Sequence, residues 1–239
     1  MKSYTIHLLR HGLTAGNAEG RYIGSTDLPL SASGVNRLEE LAKKTPYPKA
    51  DAYFCSPLKR CTQTMKILYP EAKPILIGEL RECDFGTWEG KTAKEIAAND
   101  PAFAHWIAGE GKAVTPPGGE SGAEFFQRTC AAFEKIVNGL MTSGITSAVI
   151  VAHGGSLMSI LSAYGLPRAE FYDWMTESGC GYSMRITPGL WMRSMVGEVY
   201  AKIPDSDKKS EDNGVMLIDL AREAAEHALG HKEEENKKD

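Results

Sequence analysis

The chain predicts an α/β fold: a doubly wound, mostly parallel sheet flanked by helices, with a charged helical C-terminal tail. Three observations predict it. Strand-length apolar segments alternate with segments whose apolar residues recur at helical spacing. One strand segment, Ala148-Val149-Ile150-Val151-Ala152, is apolar without interruption, as a strand covered on both faces should be. Two strand segments end in His-Gly, at His11-Gly12 and at His153-Gly154. In doubly wound sheets the ligand site lies beyond the carboxyl ends of the strands, so both histidines are expected to face one crevice.

Tyr4 to Leu9 reads as the first buried strand and breaks at Arg10-His11-Gly12. Ser31-Ala32-Ser33-Gly34 offers helix caps, and Val35, Leu38, Leu41 and Ala42 follow at helical spacing. Asp51 to Phe54 is a second strand. Ser56-Pro57 predicts a helix start, with Ser as N-cap and Pro at the first helical position, which puts Arg60 in the first turn. Ile75 to Ile77 is a third strand. Thr92 to Ala98 and Phe103 to Ala108 are expected helices, and Gly109 to Gly119 a loop. Ser121 and Glu124 form a capping box that opens a helix to about Leu140. Ser156 to Tyr164 is the helix after the apolar run, and Tyr182 to Ile186 and Val196 to Ala201 are later strands. Lys202 to Gly214 is polar and reads as a linker or exposed loop. Val215 to Leu229 is an expected helix with Leu217, Leu220, Ala221, Ala224 and Ala228 on one face. Residues 1–204 thus read as one catalytic domain and 205–239 as an acidic extension of linker plus helix.

The formal net charge is −4, which gives no reason to expect nucleic-acid binding. The charge is uneven: Asp205 to Asp239 holds 6 Lys and Arg against 11 Asp and Glu, which leaves the body nearly neutral. A near-neutral body that binds an anion must concentrate positive charge locally. The five cysteines are scattered, odd in number and lack a C-x-x-C pair, which argues against structural zinc and a disulfide framework. No run has the length of a membrane span and Met1 to His7 shows no leader pattern, so a reducing cytoplasm is the expected compartment.

Arginine matches the oxygens of a phosphoryl group with a planar fork of donors. Arg10, Arg60 and His153 could neutralise that charge and leave a neutral nitrogen of His11 to attack phosphorus. Positive neighbours lower a histidine's pKa and keep it unprotonated. Glu82 is the candidate proton donor to the leaving oxygen, with Asp84 and Glu89 as rival acids; Glu89 reads better as solvated or structural. Asp27 before Leu28-Pro29 reads as turn chemistry, and Glu120-Ser121 as a helix cap. Phe85 and Trp88 are expected in packing, although either could border a pocket. His7 is expected to be paired in the core or on its surface.

These segments resemble the histidine phosphatase superfamily, in particular its phosphoglycerate-mutase-like branch. The resemblance runs from Tyr4 to about Ile186. Its motifs are Leu8-Leu9-Arg10-His11-Gly12-Leu13-Thr14-Ala15-Gly16-Asn17, Gly24-Ser25-Thr26-Asp27-Leu28-Pro29-Leu30-Ser31, Ser56-Pro57-Leu58-Lys59-Arg60-Cys61-Thr62-Gln63-Thr64, Leu80-Arg81-Glu82-Cys83-Asp84-Phe85-Gly86-Thr87-Trp88-Glu89-Gly90, Pro117-Gly118-Gly119-Glu120-Ser121 and Val151-Ala152-His153-Gly154-Gly155. The resemblance implies hydrolysis of a small phosphorylated metabolite through phosphohistidine on His11. It also implies phosphate contacts from Arg10, Arg60 and His153, a supporting contact from Asn17, proton transfer by Glu82, and no metal or organic cofactor. Ile23, Gly24 and Gly154 complete the expected substrate contacts; Asn17 could instead serve only an Asx-turn. The family often has Glu at the position of Leu13 and Ala at that of Cys61. Leu13 is expected to alter the pocket wall, and Cys61 to pack like the small residue it replaces.

Two alternatives stand beside this reading. One is a mutase that moves phosphate within a phosphoglycerate. Only 71 residues separate Glu82 from His153, without the insertion that the longer mutases carry, which favours a phosphatase of the α-ribazole or broad-specificity kind. The other is a non-catalytic binder of phosphorylated ligands, which should have lost one of His11, Arg10, Arg60, Glu82 or His153. The physiological substrate and the oligomeric state are not legible.

Overall fold

A computed structural model of the chain describes residues 2–110 and 114–204. The expected acidic extension and its helix, Val215 to Leu229, lie outside those residues. Seven strands form one sheet: β1 (Tyr4–Arg10), β2 (Ala52–Cys55), β3 (Ile75–Leu76), β4 (Ser147–Ala152), β5 (Gly165–Leu166), β6 (Gly181–Ile186) and β7 (Gly197–Ile203). Their order is β3-β2-β4-β1-β6-β7-β5. The half from β3 to β1 is parallel; β6 runs antiparallel to both β1 and β7, and β5 pairs parallel with β7. The described helices are α1 (Ala15–Ala18), α2 (Ala32–Lys44), α3 (Lys59–Leu68), α4 (Ala93–Ala97), α5 (Ala102–His105), α6 (Gly122–Ser143), α7 (Gly154–Tyr164) and α8 (Pro188–Ser194). This is the mixed, mostly parallel α/β fold that the alternation predicts.

The central strands carry two cores. Along β4, Ala148, Ile150 and Ala152 face a cluster with Phe133, Val137, Leu157, Leu161 and Trp191 from α6, α7 and α8. Val149 and Val151 face the other side, with Cys61 and Met65 of α3 and Leu9 of β1. Every one of these β4 residues is fully buried. The unbroken apolar run is therefore the period-two alternation of a strand with a core on each face. A third cluster, Trp88, Ile96, Phe103 and Ile107 with Tyr22, Phe85 and Trp106 packed against it, is contributed by the segments between β1 and α2 and between β3 and α6.

Local signals set most helix starts. Ser31 accepts the N–H of Gly34 to begin α2. Thr92 with Glu95 and Ser121 with Glu124 form reciprocal capping boxes at α4 and α6. Four expectations need correction. Ser56-Pro57 does not open a helix: α3 begins at Lys59, because the Ser56 N–H continues the sheet to the Val151 carbonyl and its hydroxyl is engaged by His153. The start of α3 is capped instead by Asp27, which accepts the Lys59 N–H at 2.7 Å, a role beyond turn chemistry. The helix expected from Phe103 to Ala108 ends at His105 and widens into a π turn, Trp106–Glu110. The last strand also extends through Lys202 and Ile203, where a linker was expected, because the two residues complete the pairing with β6.

Candidate active site

Strands β1 and β4 lie side by side in parallel, with Arg10 opposite Ala152. Their ends therefore deliver His11 and His153 to the same edge, with ring centroids 5.1 Å apart and the rings edge to face. His11 is buried, at 4% exposure. Its N–H continues the sheet to the Ala152 carbonyl, and the Gly12 N–H is received by the Thr64 hydroxyl at 2.9 Å. Gly12 fits closely here: a Cβ would lie 2.5 Å from the buried Leu38 side chain, which would have to shift.

The His11 ring has a defined tautomer. Its Nδ1 lies 2.7 Å from the Gly12 carbonyl, which can only accept, so Nδ1 carries the proton and donates it. Nε2 is left as the basic nitrogen of a neutral ring. Burial first, then Arg60 and Arg10, hold the His11 pKa well below its ordinary value, against the opposing pull of the Gly12 carbonyl.

Arg60, in the first turn of α3, is fully buried. Its Nη2 donates to the Gly24 carbonyl at 2.7 Å, its Nη1 to the Thr26 carbonyl at 2.8 Å and its Nε to Nδ1 of His153 at 3.2 Å. Arginine cannot accept a hydrogen bond, so His153 Nδ1 is the acceptor and Nε2 donates to the Ser56 hydroxyl at 2.8 Å. Burial and the Arg60 charge keep His153 well below the usual imidazole pKa, and thus neutral. A buried guanidinium held by neutral acceptors is an electrostatic site for an anion. Arg10 lies beside Gly154, where a Cβ would be 3.5 Å from Arg10 Nε, and its Nη1 donates to the Thr176 carbonyl at 2.5 Å.

Glu82 comes to this edge from the loop after β3. Its carboxylate accepts the N–H groups of Cys83 and Gly155, each at 3.0 Å. Burial raises its pKa, although those two donors and the charges of Arg60 and Arg10 pull the other way. Gly155 leaves room for it, since a Cβ there would lie 2.5 Å from Glu82 Oε1.

A cavity of about 1010 Å³ opens here, with Arg10, His11, Asn17, Ile23, Glu82 and Gly154 among its lining residues. Arg60, His153 and Gly24 lie behind that lining, in contact with one another and, through the paired rings, with His11. Asn17 belongs to the capping box of α1, where its Oδ1 accepts from the Thr14 hydroxyl at 2.8 Å. Phe85 borders the cavity, whereas Trp88 is buried in the third cluster with its indole N–H on Asp100. Leu13 is not part of the lining. Cys61 is fully buried and packs in the core, with its thiol 3.5 Å from His153 Nε2. His7 pairs with the Ser183 hydroxyl in the sheet.

A model of the histidine phosphatase superfamily (branch 1) matches residues 6–197. The chain belongs to that superfamily. This histidine phosphatase is 28% identical over 189 residues to the adenosylcobalamin/α-ribazole phosphatase of Salmonella typhimurium, covering 77% of this chain and 91% of the relative. It is 32% identical over 192 residues to a glucosyl-3-phosphoglycerate phosphatase of Mycolicibacterium vanbaalenii, covering 76% of this chain and 82% of that one. In fold it is similar to a putative α-ribazole-5′-P phosphatase of Escherichia coli, with a TM-score of 0.70 at 22% identity, covering 87% of this chain and 99% of the other. A phosphoglycerate mutase of Thermus thermophilus superimposes with a TM-score of 0.62 at 29% identity, covering 84% and 99%. The activity class is phosphoric monoester hydrolase.

Two residues of the histidine phosphatase site were not legible as such. Arg128, in mid-α6, donates to the carbonyls of Glu79 at 2.7 Å, Arg81 at 2.8 Å and Glu82 at 3.0 Å, and lies over the Phe125 ring. Glu120 pairs with Arg128 and accepts the Asp84 N–H, so it is an ion-pair partner where a helix cap was expected; Ser121 alone is the cap. Glu89, read in sequence as a solvated or structural carboxylate, accepts the N–H groups of Gly24, Ser25 and Phe85 and the Thr26 hydroxyl. It ties the strip whose carbonyls hold Arg60 to the loop that carries Glu82. Asp84 braces the same junction through Ser25 and Gly86.

Proposed function

We propose that this histidine phosphatase hydrolyses a small phosphorylated metabolite in two phosphoryl transfers, through phosphohistidine on His11. The observation that carries the reading is the 2.7 Å bond from His11 Nδ1 to the Gly12 carbonyl, which leaves Nε2 unprotonated on a ring that lines the cavity. In the first transfer Nε2 attacks phosphorus, the ester P–O bond breaks, and Glu82 gives its proton to the departing alkoxide. In the second, water attacks phosphorus, the P–N bond breaks, and Glu82 takes the proton of the water. Phosphate leaves and His11 is restored.

Arg10 and Arg60 carry the charge of the non-bridging oxygens. Each terminal nitrogen of Arg60 has a second N–H beyond the one given to Gly24 or Thr26, and these are its donors to phosphate. His153 contributes through Arg60, whose Nε it receives, and flanks the phosphate beside His11. The Gly154 N–H opens the eleven-residue helix α7 and adds the donor of a helix start. Asn17 has its Oδ1 occupied by Thr14, so its amide nitrogen is the group that donates. Ile23 supplies apolar wall, and Gly24 backs Arg60 with its carbonyl. All five cysteines are free thiols, which supports a reducing cytoplasm.

The experiment is an acid-free quench with substrate labelled in the phosphoryl group, followed by peptide mapping. Label is expected on His11, and His11→Ala is expected to lose at least about four orders of magnitude in kcat/KM, as removal of a nucleophile does. Label elsewhere, or a near-normal rate in that variant, overturns the mechanism. Because arginines supply the charge that Mg²⁺ supplies in other phosphoryl-transfer sites, EDTA is expected to leave the rate unchanged. Loss on chelation that one added metal restores would contradict that account.

A further inference from the structure

Arg60 and Arg10 are held in different ways. Arg60 is fully buried and gives its N–H groups to three neutral acceptors. Arg10 is only partly buried, on the cavity floor, and its Nη1 donates to the Thr176 carbonyl at 2.5 Å. That carbonyl is therefore one of the points that aim the guanidinium. Thr176 lies outside helix and strand, in the segment between Trp174 and β6. No ladder of backbone bonds holds it in place, so its position must come from other ties.

The segment is tied on two sides. Toward the floor, the Cys180 N–H returns to the Glu177 carbonyl at 3.0 Å and closes a turn with Gly179 at its third position, at a φ of +82°, as a type II turn requires. The Gly179 N–H is shared between the carbonyls of Arg10 and His11, both at 3.1 Å, and the Arg10 N–H goes to the Cys180 carbonyl at 2.9 Å. Away from the floor, α2 and the residues after it supply the anchors. The Tyr47 hydroxyl donates to the Gly179 carbonyl at 2.7 Å. Leu38 packs so closely under Gly179 that a Cβ there would lie 2.6 Å from its side chain. Arg37, one residue earlier on α2, pairs with the Glu177 carboxylate. The carbonyl that receives Arg10 belongs to the planar peptide unit joining Thr176 to Glu177, so the ion pair tethers that unit from its far side.

We infer that Glu177, latched to Arg37, is a positioning residue that aims the Arg10 guanidinium at the phosphoryl group. The inference rests on the reading that Arg10 contacts phosphate. Neither Arg37 nor Glu177 lines the cavity, so the pair acts through the Thr176–Glu177 peptide and not on the substrate. The two side chains are 40% and 18% exposed, and a bridge so open to water adds little to stability. Tyr47 and Leu38 still hold the turn when the pair is removed. The consequence of losing the pair is therefore confined to the acceptor of Arg10. Phosphoryl transfer is sensitive to small displacements of a donor, so the loss appears in rate and not in the melting temperature.

Single and double variants assayed with para-nitrophenyl phosphate test it. Arg10→Ala establishes the clamp and is expected to lower kcat/KM about a hundredfold. Glu177→Gln keeps the shape and removes the charge; Arg37→Met removes the same bridge from α2. Each is expected to lower kcat/KM about tenfold, with a melting temperature within about three degrees of wild type. Arg37→Lys is expected to recover part of the rate. In the Arg10→Ala background, Glu177→Gln and Arg37→Met are expected to cost nothing more, because no guanidinium remains to be aimed. Losses that multiply with that of Arg10→Ala would mean a general loosening of the site and overturn the inference. Wild-type rates in Glu177→Gln and Arg37→Met, beside a damaged Arg10→Ala, overturn it too and leave Arg10 as a phosphate ligand. If Arg10→Ala itself keeps the wild-type rate, the reading of Arg10 falls and takes the inference with it.

Discussion

Arg10 and His11 form the floor of the cavity at the end of one strand, His153 stands behind them at the end of the adjacent parallel strand, and Arg60 joins it from the first turn of a helix. The outer wall comes from elsewhere: from the loops around Tyr22 and Phe85, the π turn at Trp106, and the segment after β5 that carries Arg168, Phe171 and Tyr172. The floor is buried, charged and over-determined. Gly24 and Thr26 hold Arg60, Ser56 holds His153, and Gly12, itself bonded to Thr64, holds His11. The wall is aromatic and is held mainly by packing. Directional bonds fix donors to within the tolerance that phosphoryl transfer demands. Packing fixes a shape, which suits recognition of the alcohol. On this division, damage to the floor should slow every substrate, and damage to the wall should discriminate among them.

Arg60 offers the sharpest way to break that division. Arg60→Ala is expected to cost at least about a hundredfold in kcat/KM, on the order of 3 kcal/mol, as removal of one preorganised transition-state donor does. Arg60→Lys is expected to recover only part, because a point charge lacks the fork that meets Gly24 and Thr26 together and, on the proposed mechanism, has N–H groups left for the phosphate. The loss should be alike for alkyl and aryl phosphates. Wild-type rates in both variants, with the fold intact by circular dichroism, would make Arg60 a structural cation and return the clamp to Arg10 alone.

Glu82 and Arg128 separate proton transfer from the clamp. Glu82→Gln is expected to slow the first transfer from alkyl phosphates severely while sparing aryl phosphates with good leaving groups, since those need little protonation. Release of phosphate from His11 should slow for both. Arg128 touches Glu82 only through backbone carbonyls, so its effect should have the same leaving-group signature at smaller amplitude. Arg128→Met is expected to lower alkyl phosphate turnover about tenfold more than aryl phosphate turnover, with partial rescue by Arg128→Lys. A loss equal across leaving groups in Arg128→Met would mean a general loosening of the site. The same flat loss in Glu82→Gln would move the acid elsewhere in the loop, although Asp84 and Glu89 are both spent on structural contacts here.

The floor was legible in sequence and the wall only in part, at Ile23 and Phe85, for a physical reason. A strand that ends in Arg-His-Gly, a second that ends in His-Gly-Gly and an arginine near a helix start are local patterns, and parallel pairing of β1 with β4 brings them together. Capping boxes at Thr92 and Ser121 are local too, and both helices start there. Ser56-Pro57 misled because its hydroxyl answers a distant demand, the proton on His153. Asp27 caps α3 from 32 residues away, which no window of sequence reveals. Arg128 sits in mid-helix with the spacing of a solvated face, and only the course of the Glu79 to Glu82 loop makes it a brace. Phe171 and Tyr172 follow a two-residue strand, β5, whose pairing with β7 carries no pattern of its own.

The smallest expected effect concerns the stability cost of keeping the floor buried. His7, His11 and His153 all have pKa values lowered chiefly by burial, so the unfolded chain takes up protons before the native state does. Their contribution to stability is complete above the ordinary imidazole value of 6.5 and is lost as pH falls below it. Glu82 behaves in the opposite sense. Its native pKa is raised above 4.5, mainly by burial, so the folded state holds the proton longer; stability is present at acid pH and lost as pH rises through the native value. Thermal melts from pH 5 to 8 should therefore separate the two. Glu82→Gln keeps a group of the same shape without a charge to bury, so its melting temperature relative to wild type should rise from pH 5 to pH 8, by on the order of a few degrees. His11→Gln should instead gain on wild type as pH falls from 7 to 5. A difference between Glu82→Gln and wild type that stays flat across this range would mean that Glu82 is ionised in the folded protein throughout. The carboxyl would then lack the proton that the leaving oxygen needs, and the acid half of the mechanism would have to come from a protonated substrate.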